Sequence, residues 1–298
     1  MLTNDPVTGQ RNLDGNTRRF LYMSVGETIE YVESHAPVSG IVSSRDTKVD
    51  KWTDNMSLDQ YLKKCKHGDF PEEISKLIEL SEEIFKALPK GKTYRRVKEV
   101  GMAGSKVRAT AVTSGNLSRA FSRTRREKAL GNLGVITLVF SAAYSYGHTK
   151  AEIRWKTATM LALGLYIDQQ GRQSEIWGSS IINNCYTSGA SNSATLVRAK
   201  GSGMPFDLHE MACLISPAFL RRLLFAVMER LGDLHGGYGI PPCQADFEGA
   251  TLALFREHKI PSESVLFGPS GKQGEIPVNS LGSAVGWIVD TLKKVEVV

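Results

Sequence analysis

The sequence predicts an α/β protein in which a helical N-terminal layer precedes a core built on a parallel sheet. Three observations carry that reading. Helical periodicity dominates as far as Pro89, a strongly basic stretch follows, and from Gly134 the pattern turns to strand, helix, strand. The chain therefore divides into a helical N-terminal region, 1–89, a basic segment, 90–131, and an α/β core, 132–298. Its 298 residues, 41% of them hydrophobic, suffice for one large or two modest cores.

Each element has its own signal. SVGETIEYVESH opens with Ser24 three residues before Glu27, a capping-box spacing, and sets Val25, Ile29 and Val32 on one face. SLDQYLKKCKHG runs from Ser57 as N-cap to Gly68. In PEEISKLIELSEEIFKALP, Pro71 and acids occupy the first turn, Ile74, Leu77, Ile78, Ile84, Phe85 and Leu88 form one stripe, and Pro89 stops the helix. YRRVKEV and SKVRATAVT alternate as short strands do, punctuated by Gly101, Gly104 and Gly115, whereas LSRAFSRTRREKAL reads as one or two helical turns.

Beyond Gly134, GVITLVFSAAY is a buried strand, EIRWKTATMLALGLYIDQQG a long apolar helix ending at Gly171, and RQSEIWGSSIIN the next strand. A series of this length reads as a right-handed parallel crossover. ATLVRAK is a third strand, FDLHEMACLI and SPAFLRRLLFAVMERLG are helices, and SLGSAVGWIVDTLKKV is a closing amphipathic helix.

Several function classes find no support. The longest apolar run, Val135 to Tyr146, is far short of the roughly 20 residues of a membrane helix. MLTNDPVTGQRNLDG lacks the basic then apolar pattern of a secretory signal, so a cytoplasmic protein without a membrane partner is expected. Cys65, Cys185, Cys213 and Cys243 are scattered with no CxxC pair, the pattern of reduced cysteines rather than of a zinc ribbon or disulfide framework. HEMAC, His209 to Cys213, resembles half of a metalloprotease helix motif with its second histidine replaced, and GPSGK, Gly268 to Lys272, lacks the spacer and hydroxyl of a phosphate loop. With no GxSxG elbow and no GxGxxG fingerprint either, the expectation is no enzyme, no cofactor and no metal.

The charge does point somewhere. The chain carries +6 overall, with a pI of about 9.1. Lys90 to Lys128 holds twelve bases against Glu99 and Glu127, a net +10, which leaves −4 for the rest. Such localisation marks a polyanion site, because many Lys and Arg contacts hold a phosphate backbone and aromatic rings stack the bases of single strands. Arg119, Arg123, Arg125, Arg126 and Lys128 are the expected phosphate contacts, extended by Arg95, Arg96, Lys98, Lys106 and Arg108. Phe121, Tyr144 and Trp155 are the stacking candidates, each with the competing reading of an ordinary core aromatic. Arg221 and Arg222 either extend the patch or pair with Glu229 and Glu210.

The order of basic stretch, VITLVFSAAYS, helix ending LYIDQQG, SEIWGSS and then MPFDLHEMACLISPAFLRRLLFAVMER resembles a bacteriophage protein family with a von Willebrand factor A-like core. SVGETIEYVESH and WTDNMSLDQYLKKCKHGDF fit the same family. The resemblance implies a Rossmann-like, degenerate von Willebrand A-like core. Metal-binding members of that wider fold carry DxSxS at the end of the first strand. The matching places are Ser141, Ala143 and Ser145, so the aspartate and one serine are missing and the resemblance implies no metal site.

In size, charge and organisation the chain is also similar to the single-stranded DNA-binding cofactors of podoviruses that carry a virion RNA polymerase. That likeness implies a host-cytoplasmic protein that binds single-stranded DNA with little sequence preference and supports a phage RNA polymerase in transcription, or else replication; a homo-oligomer along the strand is common among such binders, and the sequence does not decide whether this chain forms one. The alternative is a von Willebrand A-like interaction module partnering a chaperone-type ATPase. Sequence does not separate DNA from RNA as the ligand.

Overall fold

The computed structural model describes residues 10–11, 17–22, 24–37, 53–89, 94–101, 106–107, 113–114, 119, 121–128, 134–142, 148–182, 192–216, 218–230, 244–261, 264–269 and 277–294. Two short strands come first, β1 (Gln10–Arg11) and β2 (Thr17–Tyr22). The helices α1 (Val25–Ser34) and α2 (Leu58–His67) then form where their caps predict, and α3 (Pro71–Ala87) where Pro71 does. The Ser24 hydroxyl accepts from the Glu27 N–H at 3.0 Å, Ser57 and Gln60 close a reciprocal capping box, and Gly68 ends α2 at φ 63°, a left-handed conformation that suits glycine.

The basic segment is a sheet of its own. Strands β3 (Tyr94–Gly101), β4 (Lys106–Val107) and β5 (Phe121–Lys128) lie in the order β3, β5, β4, all antiparallel. The helical turns expected for LSRAFSRTRREKAL are thereby corrected for Phe121–Lys128. Arg, Lys and Glu favour a helix locally, but all eight residues of β5 find partners on β3, and cross-strand pairing outweighs the weak local preference.

The core follows as β6 (Val135–Ser141), α4 (Lys150–Gln169), β7 (Gln173–Ile182), β8 (Asn192–Lys200), α5 (Leu208–Ile215), a π-helical turn Phe219–Leu224 running into α6 (Phe225–Arg230), α7 (Gln244–Glu257), β9 (Val265–Phe267) and α8 (Leu281–Lys294). Its six-stranded sheet has the order β1, β2, β8, β7, β6, β9. β6 pairs in parallel with both β7 and β9, as β2 does with β8, while β7 and β8 are antiparallel. The sheet is therefore mixed rather than parallel throughout. Only nine residues separate β7 from β8, fewer than the dozen or more that a parallel crossover needs. The N-terminal region contributes β2 to this same sheet as well as its helices.

The sheet is covered on both faces. Leu138, Phe140 and Ile176 pack with α4 and the N-terminal helices, whereas Val139, Trp177, Ile181 and Leu196 pack with Phe247, Leu254 and Phe255 of α7. That alternation along β6 and β7 is the period of a strand with two buried faces. Among the described residues, no single helix is long and apolar enough to cross a membrane.

Ion pairs clamp α3 to the start of α4. Lys150 Nζ lies 2.8 Å from Asp54 and 2.9 Å from Glu73, and Arg154 lies 2.7 Å from Glu72. The Glu73 side chain is only 4% exposed. Burial alone would raise its pKa, but the Lys150 hydrogen bond and its own backbone amide outweigh this and hold it below the ordinary carboxylate value. The stabilisation is thus present above the ordinary pKa of 4.5 and is lost as pH falls through the lower folded value. Lys150→Met leaves a buried carboxylate short of its nearest cation and should cost roughly 2 kcal/mol at neutral pH. Urea denaturation should show that deficit shrinking at pH 4, and an equal deficit at both pH values would remove the ion pair as its cause.

Candidate nucleic-acid interface

Residues directly opposite each other in an antiparallel pair share a face, so backbone register sorts the charges of the basic sheet. Tyr94 is opposite Lys128, Arg96 opposite Arg126, Lys98 opposite Thr124, Val100 opposite Ser122, and Lys106 of β4 is also opposite Ser122. One face therefore holds the positions of Arg96, Lys98, Lys106, Arg126 and Lys128 and no acid. The other face holds Arg95, Arg123 and Arg125 together with both acids. There Arg95 is opposite Glu127 and Glu99 opposite Arg123.

The rows from Tyr94 to Val100 span about 20 Å at 3.4 Å per residue. Ser122, at the Lys106 end of the acid-free face, is 4% exposed, so that end is covered.

The structure divides the residues expected from sequence. Arg96, Lys98, Lys106, Arg126 and Lys128 come together, whereas Arg95, Arg123, Arg125 and Phe121 share the mixed face. Arg119 is exposed just before β5. Arg108 and Tyr144 lie outside the described residues, as do Ala143 and Ser145. Trp155 sits half-buried on α4 against the core, and its neighbour Arg154 is engaged with Glu72. Tyr94 is the aromatic position on the acid-free face. Its alternation with Arg96 and Lys98 was the available signal, but only the register of β5 shows which aromatic shares a face with which cation.

Arg221 and Arg222 belong to the π-helical turn Phe219–Leu224 and not to the basic sheet. Arg222 is 1% exposed and donates through Nε to the Met56 carbonyl at 2.8 Å, while Arg221 lies over the Phe225 ring.

A second feature lies where β6 ends. Ser141 is buried, and its carbonyl accepts from Lys156 Nζ at 3.1 Å. Lys156, on α4, is 1% exposed, and burial brings its ammonium down to about 7. A lysine amine therefore reaches the C-terminal end of β6. Among the described residues no cluster of three or more His, Cys, Asp or Glu side chains could hold a metal.

Residues 8–294 match the model of a family described as Domain of unknown function (DUF7192), and the chain belongs to that family. No curated protein and no solved structure matches it.

The buried amine makes stability depend on pH. Lys156 has a folded pKa of about 7 against 10.5 for a free lysine, so between those values the unfolded chain binds more protons than the folded one. Stability should accordingly rise with pH across that window. Lys156→Met should flatten the rise, as followed by urea denaturation between pH 7 and 9; an unchanged slope would show that Lys156 titrates as an exposed lysine does.

Proposed function

We propose that this member of the family binds single-stranded nucleic acid with little sequence preference, and that it does so through the acid-free face of the β3, β5, β4 sheet. The observation that carries the reading is the sorting of charge by register. Five cation positions share one face without an acid, and both acids stand opposite arginines on the other. A face so composed repels itself unless an anion lies on it. Phosphates supply that anion, and the Tyr94 position adds a surface on which a base can stack.

The role is a phage cofactor of transcription or replication that works beside a phage RNA polymerase in the host cytoplasm. Its support is the likeness in size, charge and organisation to the podoviral polymerase cofactors. The parallel β6–α4–β7 unit supports a Rossmann-like, von Willebrand A-like core as the scaffold.

The test is fluorescence anisotropy of a labelled single-stranded oligonucleotide and its duplex across a salt series. Phosphate contacts at Arg96, Lys98, Arg126 and Lys128, clear of the covered Lys106 end, give a slope of log affinity against log salt of about −2.8 on a single strand, at about 0.7 per contact. Changing Arg96 and Arg126 together to Gln should weaken binding on every sequence and reduce the slope by about 1.4. The same change at Arg95 and Arg123 should leave the slope nearly intact. Equal losses from the two pairs would overturn the assignment to one face, and no binding at low salt would turn the reading toward a protein-interaction module.

A further inference from the structure

The HEMAC segment and the end of α2 meet around a cavity of about 410 Å³, whose lining includes Cys65, Gly68, Asp207, His209, Glu210 and Cys213. Its walls are well fixed. Asp207 caps α5 by accepting from the His209 and Glu210 amides, at 2.8 and 3.2 Å. His209 Nδ1 hydrogen-bonds the Gly68 carbonyl at 2.9 Å, and a Cβ on Gly68 would stand 2.5 Å from that nitrogen. The Tyr61 phenol donates to the Cys213 carbonyl at 2.8 Å.

Within this frame two cysteines far apart in sequence face the same space. Cys65 is half-buried, whereas Cys213 is 1% exposed. Contact with the Cys65 side chain, together with burial, pushes the Cys213 thiol well above its ordinary range. Glu210, three residues before Cys213 on the same helix face, is raised to about 7 by burial and by Asp207.

We propose that Cys65 and Cys213 form a site of oxidative modification, a dithiol that takes a hydroperoxide as its substrate and closes to a disulfide joining α2 to α5. Cys65 is the sulfur an oxidant entering the cavity meets first. As a thiolate it attacks the outer peroxide oxygen, the O–O bond breaks, and the departing oxygen takes up the proton that the thiol released, so that a sulfenic acid and one water or alcohol result. Cys213 then attacks the sulfenic sulfur, the S–S bond forms, the S–O bond breaks, and water leaves. Glu210 is placed to take the Cys213 proton. Two thiols are oxidised by two electrons and one peroxide is reduced, so no further reactant is needed.

The test uses the unmodified full chain treated with hydrogen peroxide, then alkylated and mapped by mass spectrometry without reduction. The expected product is a peptide pair joined through Cys65 and Cys213, formed by most chains and released by dithiothreitol. Cys65→Ser should abolish the pair and leave Cys213 unoxidised, and Glu210→Gln should slow closure while the sulfenic acid at Cys65 accumulates. Sulfonic acid at Cys65 without a joined pair, a link to Cys185 or Cys243 instead, or both thiols unchanged would each overturn the proposal. The wild-type map decides the matter even if a variant fails to fold.

Discussion

The structure depends on the burial of one helix. α4 is covered along nearly its whole length, with Ile153, Thr157, Ala158, Met160, Leu161, Ala162, Leu163 and Ile167 all inside. From Thr157 to Leu163 every residue of this helix is buried, so it has no solvent face there and must be enclosed. β6 and β7 floor it, while α3, α5 and α8 close the remaining sides. The N-terminal helices and the C-terminal helix are brought together by this one requirement. β6, α4 and β7 alone would leave most of α4 exposed.

Enclosure forces an answer for each polar group carried inside with the helix. Near its start the answer is pairing: Lys150 and Arg154 meet Glu72, Glu73 and Asp54. Thr157 and Thr159 donate back to the carbonyls of Ile153 and Trp155, one turn earlier. Further along the sheet, Lys200, 3% exposed, meets the Ser174 carbonyl at 2.6 Å and Asp168 at 3.2 Å. Lys156 donates to the Ser141 carbonyl, and burial lowers its proton affinity. A neutral amine can be buried at far less cost than an ammonium.

What could be read from sequence follows from the range of the interactions involved. Caps and apolar stripes are local, so α1, α2, α3 and α4 were legible within a residue or two at most ends. The antiparallel turn of β8 was missed because it depends on the length of the link behind it rather than on ATLVRAK itself. The place of β2 beside β8 joins residues some 175 positions apart, and nothing within TRRFLY announces its partner. In the basic sheet the charges were legible and their sides were not, since side follows from register and register from the partner strand.

That register has an electrostatic cause open to comparison. As observed, β3 and β5 place two opposite-charge pairs and one like-charge pair, Arg96 with Arg126, directly across from each other. A slip by one residue toward Glu127 opposite Tyr94 would set Arg95 against Arg126, Arg96 against Arg125 and Lys98 against Arg123, with no compensating pair. A slip the other way would leave one favourable pair, Arg96 with Glu127, and two repulsive ones, Arg95 with Lys128 and Lys98 with Arg125. Each such pair is worth roughly 0.2–1 kcal/mol, so on charge alone the observed register is preferred by about 0.8–4 kcal/mol over the first slip and by about 0.4–2 kcal/mol over the second. By spending both acids against arginines on one side, the chain leaves the other side without any. The acid-free face is therefore a consequence of the same pairing that aligns the strands.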